Sequence, residues 1–355
     1  MNPFTKIAAI LFSLLTISGA SSAMAEQKYD VTEGDHLLKN FKFHTGETMD
    51  VNIHYRTLGP KDGVPVLVLH GTTGSGASML SDGFAGKLFG PGQPLDASKH
   101  YLILPDSIGA GKSSKPSDGK RTAFPKYNYN DMVDAQSRLL KEALGVEHVR
   151  LVMGDSMGGM ETWTWGVRYP DFADALVPMA SLPAPMAGRN WIMRRMLIDS
   201  IVTDPEWKDG EYTEQPEKFR IASAWFGLAT SGGNQGIQAK APTNEAAEAL
   251  IADRLANQKV GDANDLLYVW RASADFDPSA DIEKIKAHVL AINSGDDERN
   301  PPELGILEKA MPRIKNGSFY IIPAGTNTNG HATTGSQAAL YADKLADFLK
   351  AVPKK

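Results

Sequence analysis

Residues 154–158, Gly-Asp-Ser-Met-Gly, place one serine hydroxyl in a Gly-x-Ser-x-Gly pattern. That spacing suits nucleophilic catalysis. Glycine has no Cβ, so the chain can turn sharply on either side of Ser156 and hold it in a strained backbone conformation that projects Oγ outward. A serine at this junction can also be a plain helix N-cap. A base separates the two readings, because a hydroxyl is a poor nucleophile at neutral pH without one. The chain has no cysteine, so it offers no thiolate nucleophile or thiolate metal site. No His, Asp or Glu cluster has metal-ligand spacing, and no metal or other cofactor is expected. "GAGKSS" at 109–114 imitates a phosphate loop, but Asp106 stands where that pattern needs its first glycine.

The elements around Ser156 follow from the apolar pattern. Strand-like runs occupy residues 37–43, 51–58, 66–70, 101–105, 149–153, 175–180, 289–294 and 318–323. The middle and later runs are almost continuously apolar, as in parallel strands covered on both faces. Helical periodicity marks residues 129–145, with Met132, Val133, Leu139, Leu140 and Leu144 near one stripe and Gly145 as a stop, and also 160–169 and 337–352. Ser156 therefore falls between a buried strand and a helix. The strand–helix alternation breaks over residues 182–285, which contain helix-like segments and four of the six tryptophans. This stretch reads as a helical cap inserted into a core formed by 26–181 and 286–355. Trp191, Met193, Met196, Trp225 and Phe226 are its candidates for lining a pocket.

A formal net charge of −5, with 22% charged and 42% hydrophobic residues, leaves no basic footprint for nucleic acid. At the N-terminus, Lys6 precedes an apolar run over residues 7–17 and an Ala-Met-Ala sequence ending at Ala25. These are the three regions of a secretory signal. The run is too short to span a bilayer, which takes ~20 apolar residues. Residues 1–25 are therefore expected to be a cleaved signal, giving an exported, periplasmic or secreted protein with no stable membrane insertion.

A serine between glycines at a strand–turn–helix junction of such a sheet resembles the nucleophile elbow of the α/β-hydrolases. The resemblance implies an α/β fold: a mostly parallel eight-stranded sheet with helices on both faces and a helical cap insertion. In that family the acid and then the histidine follow the serine along the chain. Of the eight histidines, only His288 and His331 follow the inserted stretch. His288 leads into a strand. His331 lies in the polar, glycine-rich loop before the last helix and is the expected base. The acid is expected after the penultimate strand, where Asp296, Asp297 and Glu298 are adjacent. Asp297 stands four residues before Pro301, as in many acid-bearing loops of the family, and Asp296 is the alternative. The backbone N–H groups of Met157 and of Thr72, in "HGTTGSG" after the third strand, are the expected oxyanion donors. His70 is expected to be structural.

More narrowly, "GDSMGGMETWTWGVRYPD", "YNDMVDAQSRLL", "GPGQPLDASKHYLILPD" and "TDPEWKDGEY" resemble the homoserine O-acetyltransferase branch. That resemblance implies an acyl group carried on Ser156 and allows a homodimer. It also exposes departures. The branch usually carries an arginine six residues before the aspartate of its Asp-Pro pair, for the acceptor's carboxylate. Here the pair is Asp204-Pro205 and the position holds Ile198, with Arg194 and Arg195 one helical turn away. Ala332 follows the histidine where aspartate is usual, and Asp155 replaces a common glycine. An exported serine hydrolase acting on a small-molecule acyl ester, of whatever acyl chain, is the leading expectation. The alternatives are an O-acyltransferase and an inactive binding protein on a hydrolase fold.

Overall fold

The computed structural model describes residues 29–257 and 261–354. The expected signal at 1–25 lies outside the described residues. The chain opens with β1 (Val31–Lys42), β2 (Thr48–Leu58) and β3 (Val64–Leu69), then α1 (Ala85–Leu88) and β4 (His100–Pro105). Next come α2 (Tyr129–Leu144), β5 (Val149–Asp155), α3 (Met157–Arg168) and β6 (Ala173–Met179). Five helices follow: α4 (Gly188–Val202), α5 (Glu217–Ala229), α6 (Asn234–Lys240), α7 (Asn244–Asn257) and α8 (Ala263–Arg271). The chain then returns to β7 (His288–Ser294), α9 (Ile306–Ala310), β8 (Gly317–Ile322), α10 (Thr333–Ser336) and α11 (Ala342–Ala351).

All eight strands form one sheet in the order β1-β2-β4-β3-β5-β6-β7-β8. β2 runs antiparallel to β1 and β4, and the remaining neighbours are parallel. The period-two geometry of a strand divides its side chains between two cores. Leu67 and Leu69 of β3, Ile103 of β4 and Val289 of β7 join one cluster with Met132 and Leu139 of α2 and Trp163 of α3. Val66 and Val68, Leu102 and Leu290 join the other, with Leu88 of α1 and Leu345 of α11. Helices thus cover both faces, which explains the near-continuous apolar runs.

Local signals set the helix ends. Asn128 caps α2 by accepting the Asp131 N–H at 3.1 Å, while Asp131 reaches back to the Asn128 N–H at 3.0 Å. Gly145 ends the helix at φ 66°, a left-handed conformation that glycine takes without strain. The segment read as one helix over 337–352 divides into a short 3₁₀ turn at Ala338–Leu340 and then α11.

The helices between β6 and β7 enclose an apolar cluster of their own, built on Leu197, Ile201, Phe219, Leu267 and Trp270. Ile198 is buried within it. α5 and α6 were not legible as helices. α6 is short and follows two glycines with positive φ, Gly232 and Gly233.

Candidate active site

Ser156 sits between the end of β5 and the start of α3 with φ 55° and ψ −107°, a strained conformation for a residue with a side chain. Its hydroxyl makes no capping hydrogen bond to α3, so the plain N-cap reading fails. The glycines are needed for close approach. A Cβ on Gly158 would lie 2.4 Å from the Leu69 carbonyl oxygen, and one on Gly154 would lie 2.3 Å from Gly158. The Gly158 N–H donates to the His70 carbonyl at 3.0 Å, which ties the elbow to the loop after β3. His70 itself is fully buried; one ring nitrogen is 2.8 Å from the Gly71 carbonyl and the other accepts the Ser107 N–H at 3.0 Å.

His331 lies in the loop after β8, and its Nε2 is 2.8 Å from Ser156 Oγ. Its Nδ1 faces both oxygens of Asp297, at 2.9 and 3.0 Å. Asp297 is buried and accepts the Arg299 N–H at 2.8 Å and the Asn300 N–H at 2.9 Å. Burial pushes its carboxyl pKa up, but the facing imidazole and the hydrogen bonds from His331 and Asn300 outweigh that and hold it below the usual range. The three consecutive carboxylates part company. Asp296 turns away and accepts the Ser294 and Thr328 hydroxyls, at 2.5 and 2.7 Å. Glu298 accepts the His331 backbone N–H at 2.8 Å.

Two supporting residues were missed in the sequence. The Asn300 amide donates to the Ala180 carbonyl at 2.9 Å and to Asp297 at 3.2 Å, joining the loop after β7 to the end of β6. Thr334 donates to Asp155, the half-buried carboxylate next to Ser156, at 2.5 Å. Burial raises the Asp155 pKa. The position of Asn300, just before Pro301-Pro302, was the available signal; Asp155–Thr334 left none.

Met157 opens α3, where an N–H has no carbonyl partner inside the helix. The loop bearing Thr72 packs beside the elbow: a Cβ on Gly71 would be 3.7 Å from Ser156 Cβ. The Thr72 hydroxyl is buried and has no partner among the described residues.

A cavity of about 700 Å³ opens onto Ser156 and His331. None of the five expected lining residues reaches it. Met193 and Phe226 are buried in the cluster of the inserted helices and Trp191 packs against it. Met196 and Trp225 are 55% and 48% exposed. The walls come instead from Met160, from the 182–190 segment entering α4, from Arg194, and from the loop after β7. Arg194 is 1% exposed, donates to Asn190 and Ser273 at 2.8 and 3.2 Å, and lies over the Trp270 ring. Among the described residues it forms no ion pair.

Residues 64–317 match the family described as alpha/beta hydrolase fold, and the chain belongs to it. Homoserine O-acetyltransferase of Chlorobaculum parvum is 34% identical over 203 residues, covering 52% of this chain and 54% of that one. The chain thus spans about half the length of that relative. Homoserine O-acetyltransferase from Bacillus anthracis has a crystal structure that superposes with TM-score 0.80 at 21% identity, over 92% of this chain and 99% of that one. An acetylester hydrolase from Corynebacterium glutamicum superposes with TM-score 0.74 at 20% identity, over 90% and 96%. Within the α/β-hydrolases the chain falls in the homoserine O-acetyltransferase-like branch.

Proposed function

We propose that this protein is a serine hydrolase that cleaves a small acyl ester through Ser156, His331 and Asp297. The observation that carries the reading is the 2.8 Å contact between Ser156 Oγ and His331 Nε2. As Oγ attacks the ester carbonyl, His331 Nε2 takes its proton, and Asp297 holds Nδ1–H and stabilises the imidazolium. The Met157 and Thr72 amides donate to the oxyanion, where loss of one donor typically costs ~10²–10³ in rate. The imidazolium then protonates the departing alkoxide, which leaves as an alcohol, and an acyl-serine remains. His331 next takes a proton from water. The hydroxide attacks the acyl carbonyl, and collapse returns the proton to Oγ and frees the carboxylic acid.

A fluorophosphonate probe should label Ser156 in the folded chain, and a panel of acyl esters of graded length should reveal turnover. Ser156→Ala and His331→Ala should each lower it by about 10⁶, as in other serine triads, with the double variant no worse. Full activity in Ser156→Ala would refute the mechanism. An unlabelled Ser156 would favour a binding role on a hydrolase fold.

The second reading is O-acyl transfer to an alcohol in place of water. Arg194 favours it, because a buried guanidinium without a carboxylate on the cavity wall suits an anionic acceptor. Product analysis with and without hydroxy acids separates the two. The hydrolase reading also takes residues 1–25 as an export signal; recovery of the uncleaved chain in the cytoplasmic fraction would contradict that part of it.

A further inference from the structure

We propose that Glu298 is a positioning residue that couples the inserted helices to the orientation of His331. The inference rests on the serine hydrolase reading above. One carboxylate oxygen of Glu298 accepts the His331 backbone N–H at 2.8 Å. The other accepts the Gly233 N–H, at the start of α6, also at 2.8 Å. A single side chain therefore bridges the residue that bonds Ser156 and the segment that joins α5 to α6.

The bridge is reinforced on both sides. The Gly232 N–H donates to the Asn329 carbonyl at 3.0 Å, two residues before His331. Arg299, next to Glu298, donates through Nε to Thr230 and through Nη2 to the Ser231 hydroxyl, and stacks over Phe226 at 4.4 Å. The backbone is shaped for this contact. Gly330 has φ 56°, and a Cβ there would lie 2.3 Å from the Glu298 carboxylate. Gly233 has φ 65°, and a Cβ there would lie 2.1 Å from the Asp296 carboxylate. Side chains at either glycine would force the two segments apart.

The physical consequence is positional. The carboxylate fixes the His331 main chain, so the imidazole keeps its reach to Oγ without relying on a long glycine-rich loop. His331 is further faced by Asp297 from the loop after β7 and by Asp155 from the end of β5, while Arg299 is the positive charge on the same loop. Substrate that displaces the 226–233 segment would move the base with it.

The test uses the full chain, with p-nitrophenyl acetate turnover and the rate of fluorophosphonate labelling of Ser156 as readouts. Glu298→Ala removes the bridge; Glu298→Gln keeps one acceptor and removes the charge. Both should lower kcat and the labelling rate with little change in KM, Glu298→Ala by up to about 10², the usual consequence of misplacing a reacting group by an ångström. Circular dichroism and Tm identify misfolded variants, and Glu298→Gln supplies the measurement if Glu298→Ala does not fold. Lower Tm with unchanged kcat, or raised KM with unchanged kcat, would overturn the proposal while wild-type labelling leaves the hydrolase reading intact. A wild-type chain that is neither labelled nor active would overturn both.

Discussion

Asp297 sets both carboxylate oxygens against Nδ1 of His331, at 2.9 and 3.0 Å, while its neighbour Asp296 points to Ser294 and Thr328. Adjacent residues in an irregular loop project in different directions, so only one of the two can orient the imidazole. Asp297→Asn should lower kcat by about 10⁴, through loss of the correct tautomer and of charge stabilisation. Asp296→Asn should have a far smaller effect on kcat and should act mainly on Tm. Steady-state kinetics on the same ester compare them directly, and equal losses would contradict the assignment.

Arg194 gives a prediction about substrate charge. If its guanidinium meets an anion in the cavity, Arg194→Met should raise KM for a carboxylate-bearing ester or hydroxy-acid acceptor and leave a neutral acetate ester largely unaffected. A uniform loss across both classes would reduce Arg194 to a support for the wall.

Glu161 on α3 is fully buried, and burial raises its pKa from 4.5 to about 7 despite hydrogen bonds from Gln136 and Ser107. In the window between those two values the unfolded chain has released this proton and the folded chain retains it. Folding stability therefore falls as pH rises through the window, by on the order of 3 kcal/mol from this group. Glu161→Gln removes the titration. Denaturant unfolding at pH 5 and pH 8 should show a smaller decline for the variant than for the wild type.

Thr72 separates amide from hydroxyl. Its Oγ1 is buried without a partner among the described residues, and an unsatisfied hydroxyl of that kind typically costs ~1–3 kcal/mol. Thr72→Val keeps the shape and the backbone N–H. It should raise Tm slightly and leave kcat near the wild-type value. A large fall in kcat would assign the hydroxyl itself to the oxyanion.

The eight strands were legible because buried parallel strands leave apolar runs bounded by turn residues. The contact between Ser156 and His331 was legible because a serine between glycines calls for a base and the family's chain order points to the loop before the last helix. The choice between Asp297 and Asp296 was not settled by sequence, since each carboxylate's direction depends on loop dihedrals that composition does not encode. The cavity wall was misread for a different reason. Large apolar side chains report burial or an exposed face without saying which surface they serve. Met193 and Phe226 fill the interior of the inserted helices, while Met196 and Trp225 lie largely on the outside. The wall is made mainly by loop residues and by a buried arginine. Glu298 was legible only as a rival acid, because a bridge between two backbone amides leaves no local pattern.

The imidazole that bonds Ser156 hangs from the loop after β8, and β8 pairs with β7 alone at the open margin of the sheet. Ser156 by contrast sits at the end of β5, hydrogen-bonded to a strand on either side. Peripheral strands fray at lower free energy than central ones. Gentle warming should therefore silence turnover at a temperature where tryptophan fluorescence and far-ultraviolet dichroism still report an intact molecule, and cooling should restore it.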